Sequence, residues 1–161
     1  MTAPRSSPLP AVLSLGSNLG DRLAHLRAAV AALAPYAVSS VWQTAPVGGV
    51  EQDDYLNAVV LCRLDAAAAW SRAQAAEAQA GRARTVRWGP RTLDVDVVLA
   101  DGAPPPGLLL PHPRAHERAF VLAPWLEVQP AALLPGRGAV ADLLSGLDVS
   151  GVVRRPDLEL R

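Results

Sequence analysis

Lysine is absent from the 161 residues, so all 15 basic side chains are arginines, and 15 acidic ones balance them. That absence excludes a P-loop lysine, a protein-kinase lysine and a Schiff-base lysine at once. With no net charge there is no broad attraction to nucleic acid or to an anionic membrane, and any polyanion site must be local and built from arginine. Aromatic residues are scarce, at four Trp, two Tyr and one Phe, which is poor material for a base-stacking sheet. The single cysteine, Cys62, lies in an apolar run. It excludes an internal disulfide, reads as core packing and fits a reducing compartment. Nowhere do ~18 apolar residues run together, and residues 1–10 hold no apolar stretch long enough for a signal peptide. The expectation is a cytoplasmic protein with no membrane partner.

What the chain has in quantity is hydrophobic content, 50%, enough at this length for one buried core. The reading is one domain over residues 1–161 with a flexible, Pro- and Ser-rich tail at 1–10. Residues 11–15 read as a strand and the glycine-containing 16–20 as a turn. Asp21 is placed to cap a helix in which Leu23, Leu26, Val30 and Leu33 recur at helical spacing, and Pro35 ends it. Residues 38–44 and 55–64 read as strands around a loop at 45–53. Asp65 can cap a helix over 66–80, which stops at Gly81. Residues 82–91 carry four arginines without apolar period and read as a loop, and 93–100 as a strand. This strand, helix, strand, strand, helix, strand order predicts an α+β, ferredoxin-like βαββαβ core with an antiparallel sheet and helices packed on one face. After a Pro-rich link at 101–107, short C-terminal elements are expected, with helices near 119–126 and 139–144. No chemistry is assigned beyond Gln129.

The most informative segment is Leu93-Asp-Val-Asp-Val-Val98. Side chains alternate along a strand, so Asp94 and Asp96 share one face while Leu93, Val95, Val97 and Leu99 should share the other. Two like charges about 7 Å apart on one strand call for a cation. Hard oxygen donors with few companions suit Mg²⁺, which water and substrate phosphates complete. The competing reading is a solvated acidic face. Arg82, Arg84, Arg87 and Arg91 lie directly upstream, and carboxylates with metal and arginine are equipment for phosphoryl transfer. Tyr55 and Asn57 share a strand face after Thr44-Ala-Pro-Val-Gly48. They can hold a flat polar heterocycle, although such a pair also serves to pack and cap. His112, between two prolines, and Arg118 can bond phosphate oxygens. Gln74 and Glu77 share a helix face. His25, beside the apolar stripe of its helix, reads as a surface residue, and no histidine pair has zinc spacing.

Four of these segments together resemble one family. Arg87-Trp-Gly-Pro-Arg-Thr-Leu-Asp-Val-Asp-Val-Val98 looks like the signature of 6-hydroxymethyl-7,8-dihydropterin pyrophosphokinase, an enzyme of folate biosynthesis. Leu15-Gly-Ser-Asn-Leu-Gly-Asp21, Thr44-Ala-Pro-Val-Gly48 with Asp54-Tyr-Leu-Asn57, and Pro111-His-Pro-Arg-Ala-His-Glu-Arg-Ala-Phe120 resemble its other stretches in order. The match runs from about Leu13 to about Pro130. The resemblance implies transfer of the terminal pyrophosphate of ATP to the hydroxymethyl oxygen of the pterin, with AMP released. It implies that Asp94 and Asp96 hold two Mg²⁺ ions and that Arg82 and Arg91 assist catalysis. ATP would be bound by Gln74, Glu77, Arg82, Arg84, Trp88, Arg91, Val97, His112 and Arg118. The pterin would be bound by Thr44, Pro46, Val47, Tyr55, Asn57, Trp88, Asp94 and Phe120, with Tyr55 and Phe120 sandwiching its ring. Its partners would be these two small molecules and no nucleic acid, and the protein a monomer. Asp53 departs from the family pattern, which often has Pro there.

Two other classes remain open at this point. An RNA-binding ferredoxin-like module could use the arginine loop to grip phosphates, against which stand the few aromatics and the zero net charge. A Mg²⁺-dependent phosphohydrolase could use the two aspartates and would split nucleotide without the pterin.

Overall fold

The computed structural model describes residues 9–46, 51–81 and 92–161. Val47, Gly48 and the arginine loop with Arg82, Arg84, Arg87, Trp88 and Arg91 lie outside the described residues, as does most of the N-terminal tail. The first strand, β1 (Ala11–Ser17), runs two residues further than expected. Gly16 and Ser17 pair with Asn57 and Leu56, and Gly16 pairs with Asp94 on its other side. The turn therefore starts after Ser17. Helix α1 (Arg22–Leu33) is capped as predicted, with Asp21 accepting from Ala24 N at 3.1 Å. It buries Leu26, Ala29, Val30 and Leu33.

The strand expected over 38–44 is two pieces, β2 (Ala37–Val38) and β3 (Val41–Thr44). Val38 faces Val60 and Trp42 faces Asn57, so the chain between them holds one residue more than its partner. Ser39 satisfies the gap, its Oγ accepting from Val59 N at 2.9 Å. Strand β4 (Tyr55–Cys62) is next, then α2 (Ala66–Gln79), whose cap Asp65 accepts from Ala68 N at 2.8 Å. Strand β5 (Asp94–Leu99) completes the core pattern. A 3-10 turn (Ala115–Glu117) leads into α3 (Ala119–Val128), a short hairpin of β6 (Leu133–Leu134) and β7 (Gly138–Ala139), α4 (Val140–Ser145) and β8 (Val152–Arg155).

The main sheet has the order β5-β1-β4-β3-β8, with β2 also on β4, and every pairing is antiparallel. The α+β, ferredoxin-like expectation holds. Helices α1 and α2 share one face, where Leu13, Leu15, Ala58, Val60, Val95 and Val97 meet Leu26, Leu33, Ala69 and Ala73. The opposite face is not bare. Val12, Val59, Leu61 and Val98 pack there against Val121, Leu122 and Trp125 of α3 and Val140 of α4. A helix pattern discloses its own apolar face but not which side of a sheet will take it, so the C-terminal segment had no assigned place.

One strand position differs from simple alternation. Val12 faces Leu99 and Leu13 faces Val97, which leaves Val98 as an extra residue in β5. This bulge turns Leu99 toward the α3 side, away from Val97. Cys62 is buried as expected, and burial pushes its thiol up to about 11. Strand β8 was not foreseen. It lies on β3, and Arg155 anchors it by donating to Asp157 and to Gln43 Oε1. No helix among the described residues is long and apolar enough to cross a membrane.

Candidate active site

Register places residues from distant parts of the chain side by side. Gly16 faces Asp94 on one side and Asn57 on the other, and Asn57 faces Trp42, so these four form one row across the sheet. Residues directly opposite in an antiparallel pair point to the same face. The next row is Asp96, Ser14 and Val59, and beyond the first row lie Tyr55 and Thr44. The two aspartates thus share the α3 side, and both are half-buried.

Asp96 is reached from outside the sheet. Arg118 stands just before α3, its guanidinium 5.7 Å over the Phe120 ring and its Nη1 3.6 Å from Asp96 Oδ2. His112 is tied to the edge strand by its own N–H, which donates to Val98 O at 2.8 Å. Its Nδ1 accepts from Arg114 N at 3.1 Å, which leaves the proton on Nε2. Burial lowers the His112 pKa, Asp96 pulls it up, and Arg118 and Arg114 push it down. The net result is a neutral imidazole with Nε2–H as a donor. His112, Arg118 and Asp96 therefore form a group of one donor, one cation and one anion.

Asn57 is buried and already committed on one side. Its Nδ2 donates to Thr44 Oγ1 at 2.8 Å and to Trp42 O at 3.4 Å. The carbonyl Oδ1 is left as an acceptor, beside Gly16. The backbone comes close here because Gly16 has no side chain. A Cβ there would lie 3.3 Å from Asn57 Oδ1 and 3.4 Å from the Tyr55 ring. Tyr55, Pro46 and Phe120 are each half-exposed, as a surface for a flat ligand requires.

The remaining sequence candidates fall in different places. Glu77 sits on α2 facing the edge of β5, with Oε2 3.4 Å from Val95 N. Gln74, almost one turn earlier, is exposed. The Val97 side chain is buried in the α1 and α2 core, on the side of the sheet opposite Asp94 and Asp96. Alternation along β5 puts the sheet between that side chain and the aspartate face, so a contact from Val97 to a ligand there would come from its backbone. His25 differs from its sequence reading. It is half-buried instead of a surface residue, and its Nδ1 is buried without a partner among the described residues. The α1 N-terminus folds against Gly20, which lies 3.2 Å from the imidazole when given a Cβ. Asp53 takes part through its carbonyl, which accepts from Asn18 Nδ2 at 3.1 Å, so its departure from Pro leaves that contact intact.

Three groups near the site have no role assigned from the sequence: Ser17 and Asn18, inside the stretch 15–21, and Arg22 just after it. All three bond across to other segments, and a polar Ser-Asn directly after an apolar strand was the available signal. Among the described residues no cluster of three or more His, Cys, Asp or Glu side chains could hold a metal ion. Two partly exposed carboxylates on one strand fit a hard cation that draws its other ligands from water and phosphate. They do not fit zinc.

The family model for 7,8-dihydro-6-hydroxymethylpterin-pyrophosphokinase matches residues 12–130. A Mycobacterium leprae protein named 2-amino-4-hydroxy-6-hydroxymethyldihydropteridine pyrophosphokinase is 51% identical over 144 residues, covering 79% of this chain and 75% of that one. A protein of the same name from Bacillus subtilis is 43% identical over 128 residues, covering 73% and 77%. A third, from Methylorubrum extorquens, is 40% identical over 154 residues, covering 89% and 97%.

Proposed function

The chain belongs to the 7,8-dihydro-6-hydroxymethylpterin-pyrophosphokinase family, and we propose that the Asp94, Gly16 and Asn57 row is where it transfers pyrophosphate from ATP to the hydroxymethyl group of the pterin, releasing AMP, in folate biosynthesis. The observation that carries the assignment is the row itself. It sets a carboxylate able to hold a phosphate-bound cation beside an amide able to read a heterocycle edge.

The nucleotide side is Asp94, Asp96, His112 and Arg118, joined by Arg82, Arg84 and Arg91 of the family signature. Asp94 and Asp96 would hold two Mg²⁺ ions, which when bound neutralise phosphate charge and favour the hydroxyl oxygen as nucleophile. Neutral His112 donates from Nε2 to a phosphate oxygen and so adds no charge. Arg118 offers a fork to the same phosphates. On the pterin side, Asn57 Oδ1 accepts from an N–H on the ring edge, and Tyr55 and Phe120 supply apolar faces. Trp88 would close over the ring and exclude water, since hydrolysis competes with transfer in a wet site. The reading makes the enzyme a cytoplasmic monomer whose partners are ATP and the pterin. Family membership gives the RNA-binding alternative no support.

The test is to mix purified protein with ATP, Mg²⁺ and 6-hydroxymethyl-7,8-dihydropterin and to separate AMP from ADP by chromatography. AMP that appears only with both pterin and Mg²⁺ is the expected result. ADP would mark an ordinary kinase, and nucleotide cleavage without pterin a hydrolase.

A further inference from the structure

Two consecutive buried side chains hold the starts of both ligand-bearing strands. Ser17 and Asn18, 0% and 2% exposed, stand where β1 ends. Ser17 Oγ donates to the carbonyl of Thr92 at 2.5 Å, two residues ahead of Asp94. Asn18 Nδ2 donates to Gln52 Oε1 at 2.6 Å and to the carbonyl of Asp53 at 3.1 Å, two residues ahead of Tyr55. One helical turn later Arg22 Nη1 donates to the carbonyl of Asp54 at 2.8 Å.

These bonds come where the sheet stops being able to hold the chain. Pairing of β1 with β5 ends at Gly16 and Asp94, and pairing of β1 with β4 ends at Ser17 and Leu56. Past those points no ladder among the described residues fixes Thr92 against Asp53, and the side chains of one turn do so instead. The bonds are buried or part-buried, so each lost partner strands a polar group at a cost that water cannot fully repair. Ser17 and Asn18 are thus a joint between the two halves of the row.

We propose that Ser17 and Asn18 are positioning residues that set the separation of Asp94, with its cation and nucleotide, from Tyr55 and Asn57, with the pterin. The inference rests on the functional reading above and extends it to residues acting through Thr92 and Asp53. Transfer between two bound substrates needs the reacting atoms about 3–3.5 Å apart, and an error of about 1 Å costs on the order of a hundredfold in rate. Binding of either substrate alone does not depend on that separation.

The signature is therefore a fall in kcat with both affinities retained. Ser17→Ala and Asn18→Ala should each lower kcat roughly tenfold or more, while the Kd of the pterin and of a non-hydrolysable ATP analogue, measured by titration calorimetry, change less than about threefold. The double substitution should fall short of the product of the two effects, because both relax one coordinate. Ser17→Thr, which keeps the hydroxyl, should recover most of the loss. Should the alanine variants fail to fold, Ser17→Cys keeps the volume with a weaker donor, and Arg22→Ala removes the outer bond of the Asn18 anchor. Both should show the same split at smaller amplitude. A loss that appears in one Kd and not in kcat would make each residue a wall of its own half-site and overturn the proposal. So would folded variants with wild-type kcat. Wild-type protein that binds both substrates yet releases no AMP would instead overturn the functional reading, and the proposal with it.

Discussion

One face of the sheet carries two regions that differ in what they do. Near α3, Val12, Val59, Leu61 and Val98 are sealed under Val121, Leu122 and Trp125. One or two rows along the same strands, the positions become Ser14, Gly16, Asn57, Asp94 and Asp96. Of the seven buried polar residues among those described, Ser14, Thr44 and Asn57 lie in this second region, Ser17, Asn18 and Thr92 lie at or just beyond the ends of its strands, and Ser39 lies elsewhere. Burying polar groups is unfavourable unless each finds a partner. A cluster in which Ser17, Asn18, Asn57 and Thr44 are hydrogen-bonded marks where stability has been exchanged for a place to bind. The packed region needs volume and shape, and the polar region needs particular atoms at particular spacings. The boundary falls at the start of α3, where Phe120 packs inward and Arg118 reaches Asp96.

The largest effect should come from the polar region. Asp96→Ala or Asp94→Ala is expected to reduce pyrophosphate transfer by on the order of 10³-fold while leaving the melting temperature almost unchanged, since each is half-exposed and a solvated ion pair such as Arg118 with Asp96 adds little stability. A variant with near-wild-type turnover would remove the aspartates from the chemistry. In the packed region the response should invert. Trp125→Ala, at a fully buried side chain, should cost about 3–5 kcal/mol in urea unfolding. The surviving folded fraction should still bind ATP normally, and selective loss of ATP affinity would erase the contrast between the regions. Smaller again is Asn57→Ala, which removes the Oδ1 acceptor and strands Thr44 Oγ1. It should weaken pterin binding roughly ten- to a hundredfold and spare the nucleotide, and calorimetry with each ligand separately checks it.

The smallest effect is the pH response of His112. Its folded pKa is lowered, chiefly by burial, whereas the unfolded chain takes up the proton near pH 6.5. Between those two values the unfolded state binds more protons, so stability drops as pH falls below about 6.5 and is unaffected above it. His112→Gln should flatten that slope, and denaturation curves that coincide from pH 6.5 to 5 would contradict it.

Much of this was legible beforehand. Asp21 and Asp65 cap their helices, because a cap is a contact across three residues and local sequence contains both partners. Asp94 and Asp96 share a face because a strand alternates regardless of its neighbours. Where a neighbour intervened, local reading failed. The bulge at Val98 reversed Leu99, and the extra residue at Ser39 divided one expected strand into two. His25 looked like a surface residue from its helix position alone, yet the preceding turn folds over it. For Val97, alternation already set the side chain opposite the aspartates, as observed.

By itself the sequence determined the elements, their order, the pairing of two carboxylates on one strand and the stretches characteristic of the family, all of which depend on residues close together along the chain. Only the tertiary structure decided that Gly16 stands between Asp94 and Asn57, that α3 covers half of that face and carries Arg118 to Asp96, and that one turn ties Thr92 and Asp53 together. The bonds of that turn alone join residues 34 to 75 positions apart. They follow from strand register and from which apolar surfaces seal against each other, which no local pattern specifies.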